Sequence, residues 1–227
     1  MAIGRTNTGG SAKAFAVIVV DYPAGSICTC TNGTKTLTAE NTSGNWAFLL
    51  PSGGDWAVRS RTPDGTYSAE RNFVDVREKQ ALTATLTYNL IVWDAAKGIG
   101  SLDEWTHDSR TTVLSDGSIE TGCQDSTGNG AVAMATRSID MTGYRTIKIY
   151  VSVRTGKDTG HGAAYFKIMK NIGDAWNANP VAQTNAPTVG EYSIDISALS
   201  GTYAIRLWAQ GYYTDTRIAC ASITLER

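Results

Sequence analysis

The chain has 227 residues, with 20 basic against 21 acidic side chains and a net charge of −1. That balance, with no basic run interleaved with aromatics, argues against a nucleic-acid binder and against electrostatic attachment to an anionic membrane. Hydrophobic residues make up 42%, enough for real cores, and 23 glycines against 5 prolines suit many short strands joined by tight turns.

Residues 1–13 are rich in Gly, Ser and Thr, have no periodicity, and read as a flexible N-terminal arm. They lack the basic and apolar regions of a secretory signal, and no stretch approaches the roughly 18 apolar residues of a membrane span. Synthesis and folding in a cytoplasm are expected, with release by lysis or on a particle.

From Phe15 to about Asn89 strand signals recur: Phe15–Val20, Ile27–Thr31, Thr34–Ala39, Trp46–Leu50, Trp56–Arg61, Tyr67–Val76 and Leu82–Tyr88. Asn32-Gly33 predicts a type I′ hairpin turn. Trp46, Phe48 and Leu50 alternate, as do Trp56 and Val58, and are assigned to a core. About seven strands in about 75 residues predict an immunoglobulin-like sandwich over 14–90.

Residues 91–104, with glycines at 98 and 100, read as a connection. Over 105–227 the predicted strands are Thr111–Leu114, Ser118–Thr121, Ala131–Ala135, Thr146–Val153, Ala163–Met169, Tyr192–Ile196, Thr202–Ala209 and Ile218–Leu225. Within them lies a matched pair. Ser138-Ile139-Asp140 and Ser193-Ile194-Asp195 each end in Ile-Asp, turn through a short polar stretch, and lead into an alternating strand. That is how an antiparallel sandwich turns a corner, and the predicted module is a β-jelly roll. Asp140 and Asp195 are assigned to local capping of their turns. The fold class is all-β: an immunoglobulin-like β-sandwich followed by a β-jelly roll.

The four cysteines are expected as free, buried thiols. Cys28 and Cys30 share a strand face about 6.5 Å apart with parallel side chains, a poor disulfide geometry. Whether Cys123 and Cys220 meet stays open. No Cys or His spacing fits zinc. The run 125–130 offers oxygen ligands but lacks the full acidic pattern of a calcium loop, so it reads as a turn. No metal and no cofactor is expected.

Catalysis finds little material. His107 and His161 sit in no catalytic motif, and no Gly-x-Ser-x-Gly elbow exists. Asp103, Glu104, Asp174, Glu191 and Asp215 could supply a glycosidase pair, as the loops of any sandwich could. Recognition has more. Strand period puts Arg206 and Trp208 on the face opposite Tyr203, Ile205 and Leu207. Beyond them lie Tyr212, Tyr213, Asp215 and Arg217, and a second loop holds Trp176 and Asn177. An aromatic ring beside amides and charges suits a sugar, whose apolar face stacks on the ring while polar groups take its hydroxyls. The same residues suit a protein interface, or plain packing of the core.

The segment Val19–Ser26, the Asn32-Gly33 turn and Ala47–Gly54 leading to Trp56-Ala57-Val58 resemble carboxypeptidase-regulatory-like domains, which are immunoglobulin-type sandwiches. Through its Ile-Asp corners the second module resembles galactose-binding-like jelly rolls. The arrangement resembles virion-associated proteins of tailed phages of gut Firmicutes, and Ala2–Asn7 is similar to the start of several tail-region proteins. The resemblance implies a non-enzymatic virion protein made in the bacterial host cytoplasm. Ile3, Arg5 and Asn7 would help anchor it to other virion proteins. The jelly roll would adhere to host or mucosal glycans, in a homo-oligomer. A purely structural virion part, such as a head decoration or tail assembly protein, is the alternative, and a carbohydrate-active enzyme a weaker one.

Overall fold

A computed structural model describes residues 15–20, 25–38, 41–42, 45–51, 53–76, 81–124, 131–156, 162–211 and 215–227. The proposed arm with Ile3, Arg5 and Asn7, the 125–130 run, His161, Tyr212 and Tyr213 lie outside them. The chain is all-β and divides into two compact units, Met1–Tyr88 and Asn89–Arg227. No helix among the described residues is long and apolar enough to cross a membrane.

The first unit holds β1 (Phe15–Val20), β2 (Ile27–Thr31), β3 (Thr36–Thr38), β4 (Asn41–Thr42), β5 (Asn45–Leu50), β6 (Gly54–Arg61), β7 (Tyr67–Val76) and β8 (Ala81–Thr85). One sheet runs β4-β5-β1-β8, with β1 and β8 parallel. The other runs β7-β6-β2-β3, all antiparallel. Alternation drives Phe48, Leu50, Trp56 and Val58 inward, where they join Cys28 and Cys30 in one core. The Asn32-Gly33 turn is longer than predicted: Thr31 pairs with Thr36, leaving a four-residue loop. The Asn32 side chain explains it, because its Oδ1 accepts from the amides of both Thr34 and Lys35 and holds the wider turn.

The second unit opens with β9 (Asn89–Asp94) and continues through β10 (Thr106–His107), β11 (Thr111–Val113), β12 (Ile119–Gln124), β13 (Ala131–Asp140) and β14 (Thr146–Arg154). It ends with β15 (Gly162–Met169), β16 (Ala182–Asn185), β17 (Gly190–Asp195), β18 (Thr202–Gly211) and β19 (Asp215–Glu226). One antiparallel sheet runs β10-β13-β18-β15-β16. In the other, β19 is central: β12 and then β9 pair along one edge, and β14 with β17 beyond it along the other. Inner side chains of both sheets, among them Ile149, Phe166, Ile205, Leu207, Ile218 and Ile223, form one core.

Residues 91–104, expected as a connection, are instead part of this unit. Ile91, Val92 and Trp93 are buried on β9, and 3₁₀ turns follow at Ala95–Lys97 and Leu102–Glu104. The glycines that look like a linker serve a tight return, in which Asp94 bridges Ile99. Gly100 has φ +101°, and a Cβ there would come 2.6 Å from the Trp93 ring.

The two corners are copies of one local structure. Asp140 Oδ1 accepts from the Thr142 amide and Asp195 Oδ1 from the Ser197 amide, both at 2.9 Å. Met141 O then accepts from the Tyr144 amide, and Ile196 O from the Leu199 amide. Hydrogen bonds from the Thr142 and Ser197 side chains, and then from their amides, pull both carboxyls below the usual carboxylate range.

Cys123 pairs in register with Thr216, whereas Cys220 pairs with Ile119, four residues along the ladder. About 3.3 Å per residue puts them too far apart to bridge. All four thiols are free and buried.

Candidate functional site

In the sheet β10-β13-β18-β15-β16, the inner positions of the three central strands are largely apolar. Ala133, Ala135, Ala164, Phe166, Ile205 and Leu207 all belong to the core. The opposite face is different. Its cross-strand rows read Thr106, Thr136, Arg206, Lys167, Gln183, and next to that Met134, Trp208, Tyr165, Asn185. A face turned away from the core yet built of Trp, Tyr, Arg, Lys and amides is one on which binding residues belong.

Arg206 and Trp208 reach this face as strand period predicts, yet both are buried there, at 1% and 4% exposure. Two things cover them. The loop from β15 to β16 folds over Arg206, whose Nη1 and Nη2 donate to the carbonyls of Ala175 (3.0 Å) and Asp174 (2.7 Å). Its Nε donates to Thr136 Oγ1 at 3.1 Å. Lys167 covers Trp208: its Nζ lies 3.8 Å from the indole centroid and 5.5 Å from that of Tyr165. Tyr165 and Trp208 are themselves 5.5 Å apart and tilted by 57°. Trp208 Nε1 has no partner among the described residues.

The covering loop presents the other predicted aromatic. Its first turn is closed by Asp174, which accepts from the Asn171 amide and Nδ2. Its second turn is closed by the Ala178 amide on Ala175 O. Trp176 stands in that second turn, 47% exposed, with Asn177 exposed beside it. The two carbonyls gripped by Arg206 immediately precede Trp176. The fold thus brings Trp176, Asn177 and Arg206 together from segments about 30 residues apart.

Next to Arg206 lies a cleft of about 290 Å³, lined by Thr106, Asp108, Met134, Thr136, Ile172 and Asp174 among others. Asp108 is fixed by the amides of Arg110 and Met134. Strand β10, whose two residues gave no period to read, supplies one wall. Tyr165, Lys167 and Gln183 were also missed. Strand alternation on β15 could have found the first two, once β15 was known to neighbour β18.

Asp215 and Arg217 do not join this group. They stand on β19 in the other sheet, where Arg217 Nε donates to both Asp215 oxygens and Nη1 lies 3.8 Å from Glu120. The carboxylates considered for catalysis are engaged elsewhere or apart. Glu104 pairs with Arg137 at 2.7 Å, Asp174 holds its loop, and Glu191 sits on β17. His107 Nδ1 faces the Asp108 carbonyl at 2.9 Å. Among the described residues no group of three or more His, Cys, Asp or Glu is placed to hold a metal.

No protein family and no curated protein matches the chain. Solved structures are similar in fold at low identity. A carbohydrate-binding module of the β-sandwich superfamily is 12% identical over 87% of this chain and 83% of its own, with a TM-score of 0.43. TmCBM61, in complex with β-1,4-galactotriose, is 9% identical over 56% of this chain and 92% of its own, at 0.38. A DUF3823 family protein from Parabacteroides merdae is 13% identical over 95% of this chain and 100% of its own, at 0.27. At such identities and scores these matches carry no argument about what the chain binds.

Proposed function

We propose that residues 89–227 form a non-catalytic glycan-binding module. The observation that carries this is the polar and aromatic outer face of the sheet β10-β13-β18-β15-β16. There Arg206 lines a cleft of about 290 Å³ and grips the carbonyls of Asp174 and Ala175, the two residues that precede the exposed Trp176. The indole is free to stack on the apolar face of a pyranose. Thr106, Asp108, Gln183 and Asn185 offer the donors and acceptors that sugar hydroxyls need. Trp208, sealed under Lys167, supports the platform from below rather than serving as the stacking ring.

The setting we propose is a tailed-phage particle. The first unit and the arm with Ile3, Arg5 and Asn7 attach to other virion proteins, and the second unit adheres to host or mucosal glycans. Several copies acting together, as in a homo-oligomer, would raise a weak single-site affinity by multivalency.

The test is saturable binding of multimerised protein to a glycan array and to whole bacteria, with Trp176→Ala as the variant. Trp176 is exposed, so the variant should keep stability within about 0.5 kcal/mol. It should lose affinity about tenfold or more, as removal of an aromatic anchor does. If no glycan binds, and the protein forms a stable oligomer that Trp176→Ala dissociates, the structural virion reading replaces this one.

A further inference from the structure

Lys167 is 9% exposed, and a lysine so buried is nearly always paired. Here it is not: among the described residues no carboxylate lies in ion-pair or hydrogen-bond reach of its ammonium. Its immediate neighbours add to the difficulty. In the β15–β18 register Lys167 stands directly opposite Arg206, and like charges so placed repel. Arg206 spends its donors on Thr136 Oγ1 and two backbone carbonyls, all neutral. Asp174, the acid that acts on Arg206, turns its carboxylate to Asn171. Burial first, and the Arg206 charge second, push the Lys167 ammonium below its ordinary range. The pair of cations is therefore under-neutralised, and the Trp208 ring is the main group that offsets the Lys167 charge.

The ammonium is nevertheless not sealed. Trp208 Nε1 is enclosed and unpartnered, but Lys167 Nζ is not among the enclosed atoms. Gln183 stands opposite it on β16 with Asn185 nearby, both exposed. Charge is arranged unevenly across the face. Asp108 and Asp174 line the cleft on one side of Arg206, and Lys167 lies on the other. The Asp108 and Asp174 carboxylates disfavour an anion on their side of Arg206, and the ammonium favours one at Lys167.

We propose that this face takes an acidic saccharide, with the sugar carboxylate against Lys167 and Gln183 and neutral hydroxyls toward the Asp108 cleft. This rests on the glycan-binding reading above and adds the substrate class to it. A carboxylate at Lys167 would supply the partner that the chain withholds, in a largely water-excluded position where a charge-assisted bond is strong.

The test uses the full chain on matched sugar pairs that differ in the acid group: galacturonate and galactose oligomers, glucuronate and glucose oligomers, sialylated and unsialylated lactose, and sulfated galactose oligomers. In low salt at least one carboxylated member should bind about tenfold tighter than its neutral match. The preference should shrink as salt rises. It should vanish in Lys167→Met and persist in Lys167→Arg. The wild-type comparison needs no variant, so a misfolded substitution cannot hide the answer. Equal binding of acidic and neutral partners, or a preference that survives Lys167→Met, overturns the inference and leaves glycan binding standing. Tighter binding of the sulfated sugar than of every carboxylated one overturns the carboxylate assignment. Absence of binding to any sugar removes both readings.

Discussion

At the scale of single residues, Lys167 and Trp176 define what the second unit can do, and they do so oppositely. Trp176 is exposed at little cost, since its loop is pinned from beneath by Arg206. Lys167 is buried at a cost, because its charge is desolvated and faces another cation. That cost has a measurable sign. The ammonium is depressed below 10.5 in the folded chain, so the unfolded chain binds more protons in the window between the depressed value and 10.5. Stability therefore rises with pH through that window. Comparing wild type with Lys167→Met in chemical denaturation isolates this effect. Wild type should gain on the variant as pH climbs through that window toward 10.5, as linkage requires. A gap that stays constant, or moves the other way, would mean Lys167 is not destabilised by burial. Sequence alone could place Arg206 and Trp208 on one face, but not their burial. The covering groups, Lys167 and the 174–175 carbonyls, come from segments that only the sheet order brings near.

At the scale of elements, the paired corners were legible because they are local. Ile-Asp followed by a hydroxyl residue encodes its own turn through side-chain to backbone bonds, and both copies fold alike. Strand β2 is equally direct. Cys28 and Cys30, two apart, face the same core, and burial pushes the Cys30 thiol up to about 11. Cys123 and Cys220 are likewise raised by burial. Native protein at pH 8 should thus show no fast reaction with a thiol reagent, and all four thiols should react once denatured, as inert buried cysteines do. Fast labelling of even one would contradict the described packing. Other elements escaped a reading by period. Strand β9 was hidden by the glycines that follow it, of which Gly98 caps the 3₁₀ turn in the left-handed region and Gly100 fits against Trp93. Strand β16 reads Ala-Gln-Thr-Asn, too short and polar to announce a strand, and is made one by pairing with β15.

At the scale of the whole molecule, each unit owns its core. The first is built from residues between Cys28 and Tyr88, the second from residues between Val92 and Leu225. Residues 89–227 expressed alone should therefore melt in one cooperative transition and keep any glycan affinity, whereas a fragment starting at 105 should not fold, because it lacks β9. Cooperative folding of the 105–227 fragment would show that β9 is dispensable. Sequence by itself determined the all-β class, the core alternation on β5 and β6, and the corner turns. These depend on residues a few positions apart, where period and side-chain capping act. Only the tertiary structure decided where the second unit begins, which aromatic is exposed, and that Lys167 and Arg206 share a row. Those depend on which strands become neighbours, a choice made by the burial of both sheets at once and written in no single segment.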